Sequence, residues 1–150
     1  MGGSLRSTYN EAALSKLTDD DELLHRQVHP SFVRDGRASS QAFRPTPKDS
    51  GRLSVDRGAL RSAEESHLRY TTDLGLSSAG TWAVAVGECS ACDLPVEAEP
   101  LVEPPPNPAH AAVVFTGLSR GQCEAKGTKL ARAANERGCI HPPAKERVES

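Results

Sequence analysis

The feature that most constrains this chain is the run Gly80 to Glu88, where Trp82, Val84 and Val86 alternate with Ala83 and Ala85, leaving both faces apolar. A strand that is apolar on both sides must be covered on both sides, so the run predicts a buried central strand of a sheet. A second such run, His110-Ala111-Ala112-Val113-Val114-Phe115, supplies another buried strand. Both are far shorter than the ~20 apolar residues needed to cross a bilayer, and no secretory signal can be read at Met1-Gly2-Gly3-Ser4. A cytoplasmic protein without membrane association is expected.

Helix signals stand between these runs. Ser62-Ala63-Glu64-Glu65 is a capping box that opens a helix through His67, Leu68 and Tyr70 and ends at Gly75. Ser119-Arg120-Gly121-Gln122 caps another, with Leu130, Ala131 and Ala134 inward and Gly138 as its stop. Thr18 followed by Asp19, Asp20, Asp21 and Glu22 predicts a third, carrying Leu23, Leu24 and Val28 and ending before Pro30. Between Pro30 and Val55 the chain reads as loop-rich: Asp35-Gly36 as a turn, Ser39 to Phe43 in a short hairpin, a turn at Lys48-Asp49-Ser50-Gly51 and a short strand Leu53-Ser54-Val55. Glu97 to Pro108 reads as an exposed, acidic, proline-rich loop.

Strands and helices in mixed order, with connections too irregular for regular βαβ units, favour an α+β fold. At 150 residues the chain suits one domain with an ordinary core. The expected organisation is an N-terminal arm over 1–17, flexible or partly helical, one α+β domain over 18–140 built on a small mixed sheet with two or three helices, and a disordered tail over 141–150.

Charge is unevenly spread. Arg26 to Arg61 holds eight Lys/Arg against three Asp, a net +5, whereas Glu88 to Glu103 holds five acids and no base. Two readings stand: a basic surface that meets an anionic partner, or two segments of one domain that face each other.

Residues able to carry chemistry gather in the basic stretch. His29, Arg37, Ser39, Ser40, Gln41, Arg44, Lys48 and Ser54 could hold a phosphate or nucleotide, with guanidinium and ammonium charge, hydroxyl donors and His29 for proton transfer. Of these, His29, Arg37, Ser40 and Lys48 are the catalytic candidates; Arg34, Arg37, Arg44, Lys48 and Arg52 are the candidates for binding a partner or anion. The competing reading is that they are ordinary solvated loop residues, with His29 capping helix carbonyls. No Gly-rich phosphate loop is present to decide the matter. His67, Glu88 and His110 form a further set that could converge at strand ends.

Cys89 and Cys92 have the spacing of half a zinc site, but Cys123 and Cys139 complete it poorly, so no cofactor is expected and zinc is the alternative. The same Cys-x-x-Cys pair lacks an evident helix N-terminus to lower a thiol pKa for redox work.

The stretches His29-Pro30-Ser31-Phe32, Gly36 to Phe43, Lys48-Asp49, Leu53-Ser54-Val55 and Trp82 to Val86 resemble a group of small bacterial hypothetical proteins. The resemblance covers roughly residues 20 to 138, implies no activity or catalytic residue, and directs attention to His29–Val55. With no catalytic signature, the expected function is a non-enzymatic interaction domain, an accessory or adaptor subunit of a bacterial multi-protein system whose partner is another protein. One alternative is a small enzyme or ligand-binding module for a nucleotide or phosphorylated compound, using the His29–Val55 region. Another is a nucleic-acid-binding accessory protein. Convergence of the candidate side chains in a cleft would favour the ligand, and a convex charged surface a macromolecular partner.

Overall fold

A computed structural model describes residues 15–46 and 49–141. They form an α+β fold around a five-stranded sheet. In chain order the elements are β1 (Leu23–Val28), β2 (Val33–Arg34), β3 (Arg37–Ala38), β4 (Arg52–Arg57), α1 (Ala63–Leu68), β5 (Gly80–Ala85), α2 (Val86–Ala91), β6 (Val96–Ala98), β7 (His110–Val114) and α3 (Arg120–Arg137). The strand order is β5-β1-β4-β7-β6, with every pairing antiparallel, and β2 and β3 make a separate hairpin. The sheet is therefore not mixed as expected, and its central strand is β4.

The first departure from expectation is β1, which was expected to be a helix. Leu24 and Val28 are four apart, a spacing that suits a helix face and equally the same side of a strand. The strand wins because β1 lies between two neighbours, pairing over its whole length with β5 and at Leu24 and His25 with β4. The acids before it make a turn instead of a cap: Asp21 N–H donates to Asp19 Oδ1 at 3.0 Å and Glu22 N–H to the Asp19 carbonyl at 3.0 Å. Glu22 is then buried, its side chain only 4% exposed, and accepts two hydrogen bonds from Arg57 at 2.8 and 3.1 Å.

The second departure is the place of β5. Every residue of β5 is buried, as its composition demands, yet it is an edge strand and ends at Ala85, with Val86 beginning α2. Its outer rim is covered by the last residue of α3 and the chain that follows it. Thr81 N–H donates to the His141 carbonyl at 3.0 Å, Ile140 N–H to the Thr81 carbonyl at 2.8 Å, and Arg137 Nη1 to the Ala83 carbonyl at 2.9 Å. Covering the rim satisfies backbone groups that an open edge would expose. His141, placed in the expected tail, is thus buried and paired; residues 142–150 lie outside the described residues. Likewise Leu17 N–H donates to Val96 and Ala98 N–H to Ser15, tying the end of the expected arm to β6.

Asp35 and Gly36, with φ of 55° and 77°, make the β2–β3 turn as read from sequence; two positive φ values match the right-handed strand twist. Ser39 to Phe43 is not a hairpin arm. It is a 3₁₀ turn over Ser40–Phe43, capped by the Ser39 hydroxyl. This turn packs on α3, where Gly127 permits the approach: a Cβ there would lie 3.2 Å from the Ser40 carbonyl oxygen.

The capping boxes at Ser62 and Ser119 form as predicted, and Gly138 ends α3 at φ 85°. After α1 the chain continues through a wider turn, Arg69–Asp73. Leu24, Leu53, Trp82, Val84, Phe43, Phe115 and Leu130 are among the buried residues of the core. Burial of each such side chain stabilises the fold by roughly 1.5–3 kcal/mol. No helix among the described residues is long and apolar enough to cross a membrane.

Candidate functional site

The antiparallel register places His25 of β1 opposite Asp56 of β4, and Asp56 opposite His110 of β7. Three polar residues thus stand in one row across three adjacent strands. Ser54, two residues before Asp56 on β4, shares their face. α1 and the Arg69–Asp73 turn rise beside this row, and the turn closed by Leu101 and Asn107 meets it from the far side. Together they enclose a pocket of about 230 Å³ lined by His25, Arg26, Gln27, Ser54, Asp56, Ser66, Arg69, Tyr70, Asn107 and His110 among others.

Hydrogen bonds fix the walls. Asp56 accepts from the Ser66 hydroxyl at 2.6 Å and from Asn107 Nδ2 at 2.9 Å, while Arg61 donates to Asn107 Oδ1 at 3.0 Å. Gln27 donates to Thr81 Oγ1 at 2.8 Å and to Ser66 at 3.3 Å, and its Oε1 accepts from Ser78. His110 contacts the Glu99 carbonyl through Nδ1 at 2.9 Å and Ser54 Oγ through Nε2 at 3.1 Å. His25 is only 6% exposed, and its Nδ1 finds no hydrogen-bond partner among the described residues. Burial pushes the His25 pKa below its ordinary 6.5, against the opposing pull of the Asp56 charge.

Two guanidiniums distinguish this pocket. Arg26 sits where β1 and β4 diverge; its Nε donates to the Ala42 carbonyl at 2.9 Å and its Nη1 to the Ser54 carbonyl at 2.9 Å. Arg69 donates to the carbonyls of Pro105 and Pro106 at 3.0 and 3.5 Å. Among the described residues they are the two half-buried arginines with no carboxylate within 4 Å. Burial lowers the Arg26 pKa, against Tyr70 and Asp49, yet a guanidinium keeps its proton at any working pH. A half-buried guanidinium whose hydrogen bonds go to carbonyl dipoles bears a desolvation cost that an anion would offset.

The residues singled out from sequence lie elsewhere and do not gather in one cleft. His29 is exposed; its Nδ1 accepts from Ser31 N–H at 3.0 Å and so caps the start of the Pro30–Phe32 turn, whereas the role weighed for it was capping the carbonyls of a helix that is a strand here. Arg34 and Arg37 are exposed and opposite one another across the β2–β3 hairpin. Ser40 begins the 3₁₀ turn, and Lys48 lies outside the described residues. Arg44 lies 3.9 Å from Glu124 and lines a larger, open groove of about 770 Å³ with Phe32, Phe115 and Leu118. Arg52 contacts Glu97 at 2.8 Å and Glu99 at 3.2 Å, so this part of the basic stretch does face the acidic one within a single domain.

His67, Glu88 and His110 do not form a cluster. His67 contacts Gln27 and meets the His141 ring at 5.1 Å with the planes tilted by 60°, and Glu88 holds Arg137 and the Ala85 N–H. Cys89 and Cys92 are buried on and just after α2, with the Cys89 thiol pushed up to about 12 by burial and then by Cys92 and Glu88. Cys123 is on α3, and Cys139 approaches Gly80 at the start of β5, whereas α2 with Cys89 follows the other end of that strand. Among the described residues no three His, Cys, Asp or Glu side chains are grouped so as to hold a metal ion.

In comparisons with known proteins, no family model, no curated protein and no solved structure matches this chain.

Proposed function

We propose that the protein is a binding module for a small anionic compound, of the size of a phosphate monoester or a short carboxylate, held in the Arg26–Arg69 pocket. The observation that carries the reading is the pair of half-buried guanidiniums, each with no carboxylate within 4 Å among the described residues, lining one pocket whose carboxylate, Asp56, is bound by Ser66 and Asn107. Arg69 supplies charge at the rim and Arg26 at the floor, while Ser54, Tyr70 and Asn107 offer hydrogen-bonding groups that fix orientation. A volume of about 230 Å³ is small beside the ~300–1,000 Å³ of drug-sized sites, so a phosphate or carboxylate group fits the reading better than a whole nucleotide. Calorimetric titration with inorganic phosphate tests it. Saturable binding at one site is expected, weakened at least tenfold in Arg69→Gln and unchanged in Arg37→Gln; equal affinity in both variants would refute the reading.

The interaction-domain reading is favoured by a different observation. Arg34 and Arg37 stand directly opposite each other, exposed, with no carboxylate within 4 Å among the described residues. Like charges opposed across a hairpin are unfavourable, and an acidic protein segment would relieve them. A poly-glutamate probe should then bind in a salt-sensitive manner and be lost in the double variant Arg34→Glu/Arg37→Glu. Retention of duplex DNA instead of the peptide by the same two residues would favour nucleic acid.

A further inference from the structure

The contacts of His110 fix its tautomer. Its Nδ1 lies 2.9 Å from the Glu99 carbonyl oxygen, which can only accept, and 3.4 Å from Glu99 Oε1, an acceptor when the carboxylate is ionised. The neutral ring therefore carries its proton on Nδ1, and Nε2 presents a lone pair. The group facing that lone pair is the Ser54 hydroxyl at 3.1 Å, which must donate to it. Glu99 is itself held by Arg52 at 3.2 Å, so the orienting group is anchored in turn.

Ser54 is exposed, whereas the pocket's other serine, Ser66, is buried and bound to the Asp56 carboxylate. Of the two serines, Ser54 combines access, a base on its hydroxyl and two guanidiniums in the same pocket. A hydroxyl with a base on its proton and a carboxylate behind the base is the arrangement that activates a serine for covalent attack.

We propose that Ser54 is a nucleophile, with His110 as its general base and Glu99 as the positioning residue, and that the pocket cleaves esters of small acids. The inference rests on the anion-binding reading of the same pocket, because the Arg26 and Arg69 guanidiniums are the donors available to a developing oxyanion. Ser54 Oγ bonds to the acyl carbon as its proton passes to His110 Nε2, and the carbonyl electron pair moves onto oxygen. Collapse of that oxyanion breaks the ester C–O bond, and the leaving alkoxide takes the proton from His110. Water then repeats the sequence on the acyl-serine, with His110 as base, releasing the acid and restoring Ser54.

The test uses the full chain with a fluorophosphonate probe and p-nitrophenyl acetate, beside the phosphate titration. Expected results are probe mass on the peptide containing Ser54, no such mass in Ser54→Ala, and ester turnover lowered about 100-fold or more in His110→Gln. Glu99→Gln should shift the pH profile of turnover, which a merely structural loss would not do. Phosphate binding without Ser54 labelling at saturating probe would overturn the nucleophile and leave the pocket reading intact. Labelling of Ser54 without phosphate binding would support the nucleophile and refute the anion site.

Discussion

Arg26 on β1 donates from Nη1 to the carbonyl of Ser54 on β4 at 2.9 Å, occupying the gap where the β1–β4 ladder ends after two residue pairs. One cation thereby replaces part of the backbone pairing between two strands and forms a wall of the pocket between them. Arg26 thus has a structural role in addition to the proposed binding one, so its loss and the loss of Arg69 should differ.

Arg69 donates to the Pro105 and Pro106 carbonyls at the surface. Its replacement by Gln should leave the melting temperature nearly unchanged and weaken phosphate about 10- to 100-fold, the range for a hydrogen bond to a charged group. Arg26→Gln should weaken phosphate comparably and also destabilise the fold by about 1–3 kcal/mol, because the Ala42 and Ser54 carbonyls lose their donors. Thermal melts beside calorimetry separate the two.

Glu22 and Arg57 should respond unequally. Glu22 is 4% exposed and Arg57 24%, so Arg57→Ala leaves a buried carboxylate alone, whereas Glu22→Gln leaves a guanidinium that still reaches water. The former should cost about 3–5 kcal/mol and the latter distinctly less in urea unfolding.

Stability should fall as pH drops below 6.5. The folded pKa of His25 is depressed by burial, so between 6.5 and that lower value the unfolded chain binds more protons than the folded one. Stability contributed by neutral His25 is full above 6.5 and declines with acidification through this window. His25→Gln should flatten that part of the pH–stability curve measured by urea unfolding.

Thiol reactivity should be divided by burial. With its pKa near 12, Cys89 carries almost no thiolate at neutral pH and should resist a thiol reagent until the protein unfolds. Cys123, half-buried beside the open groove, should react in the native state. Mass analysis of partially labelled protein distinguishes the two.

How far these features were legible depended on whether local or distant residues decide them. The capping boxes at Ser62 and Ser119 and the Asp35-Gly36 turn involve residues within four positions of each other, and all three form as read. The β1 segment was misread because Leu24 and Val28 fit both periods, and the deciding pairing partners on β4 and β5 are distant in sequence, the nearest pair being His25 with Asp56. The apolar character of β5 was legible, but not its edge position, since residues 140–141 cover the rim by chain return.

The pocket was hidden by the same error. Once Leu23–Val28 is a strand, His25 and Gln27 fall on the face that Ser54 and Asp56 occupy on β4, where the alternation Arg52-Leu53-Ser54-Val55-Asp56 already marked a polar side. His110, noted among candidate residues, joins them only through the β4–β7 register. Arg37 and Arg44 instead drew attention because charge density along the chain carries no information about which guanidiniums find carboxylates in space.

The most direct test of the anion site is an NMR titration with inorganic phosphate that follows the arginine Nε–Hε resonances. The Arg26 and Arg69 signals should shift together and saturate with one affinity, while Arg34 and Arg37 stay in place. Shifts confined to Arg34 and Arg37, or shifts at Arg26 and Arg69 that grow linearly without saturation, would contradict the account.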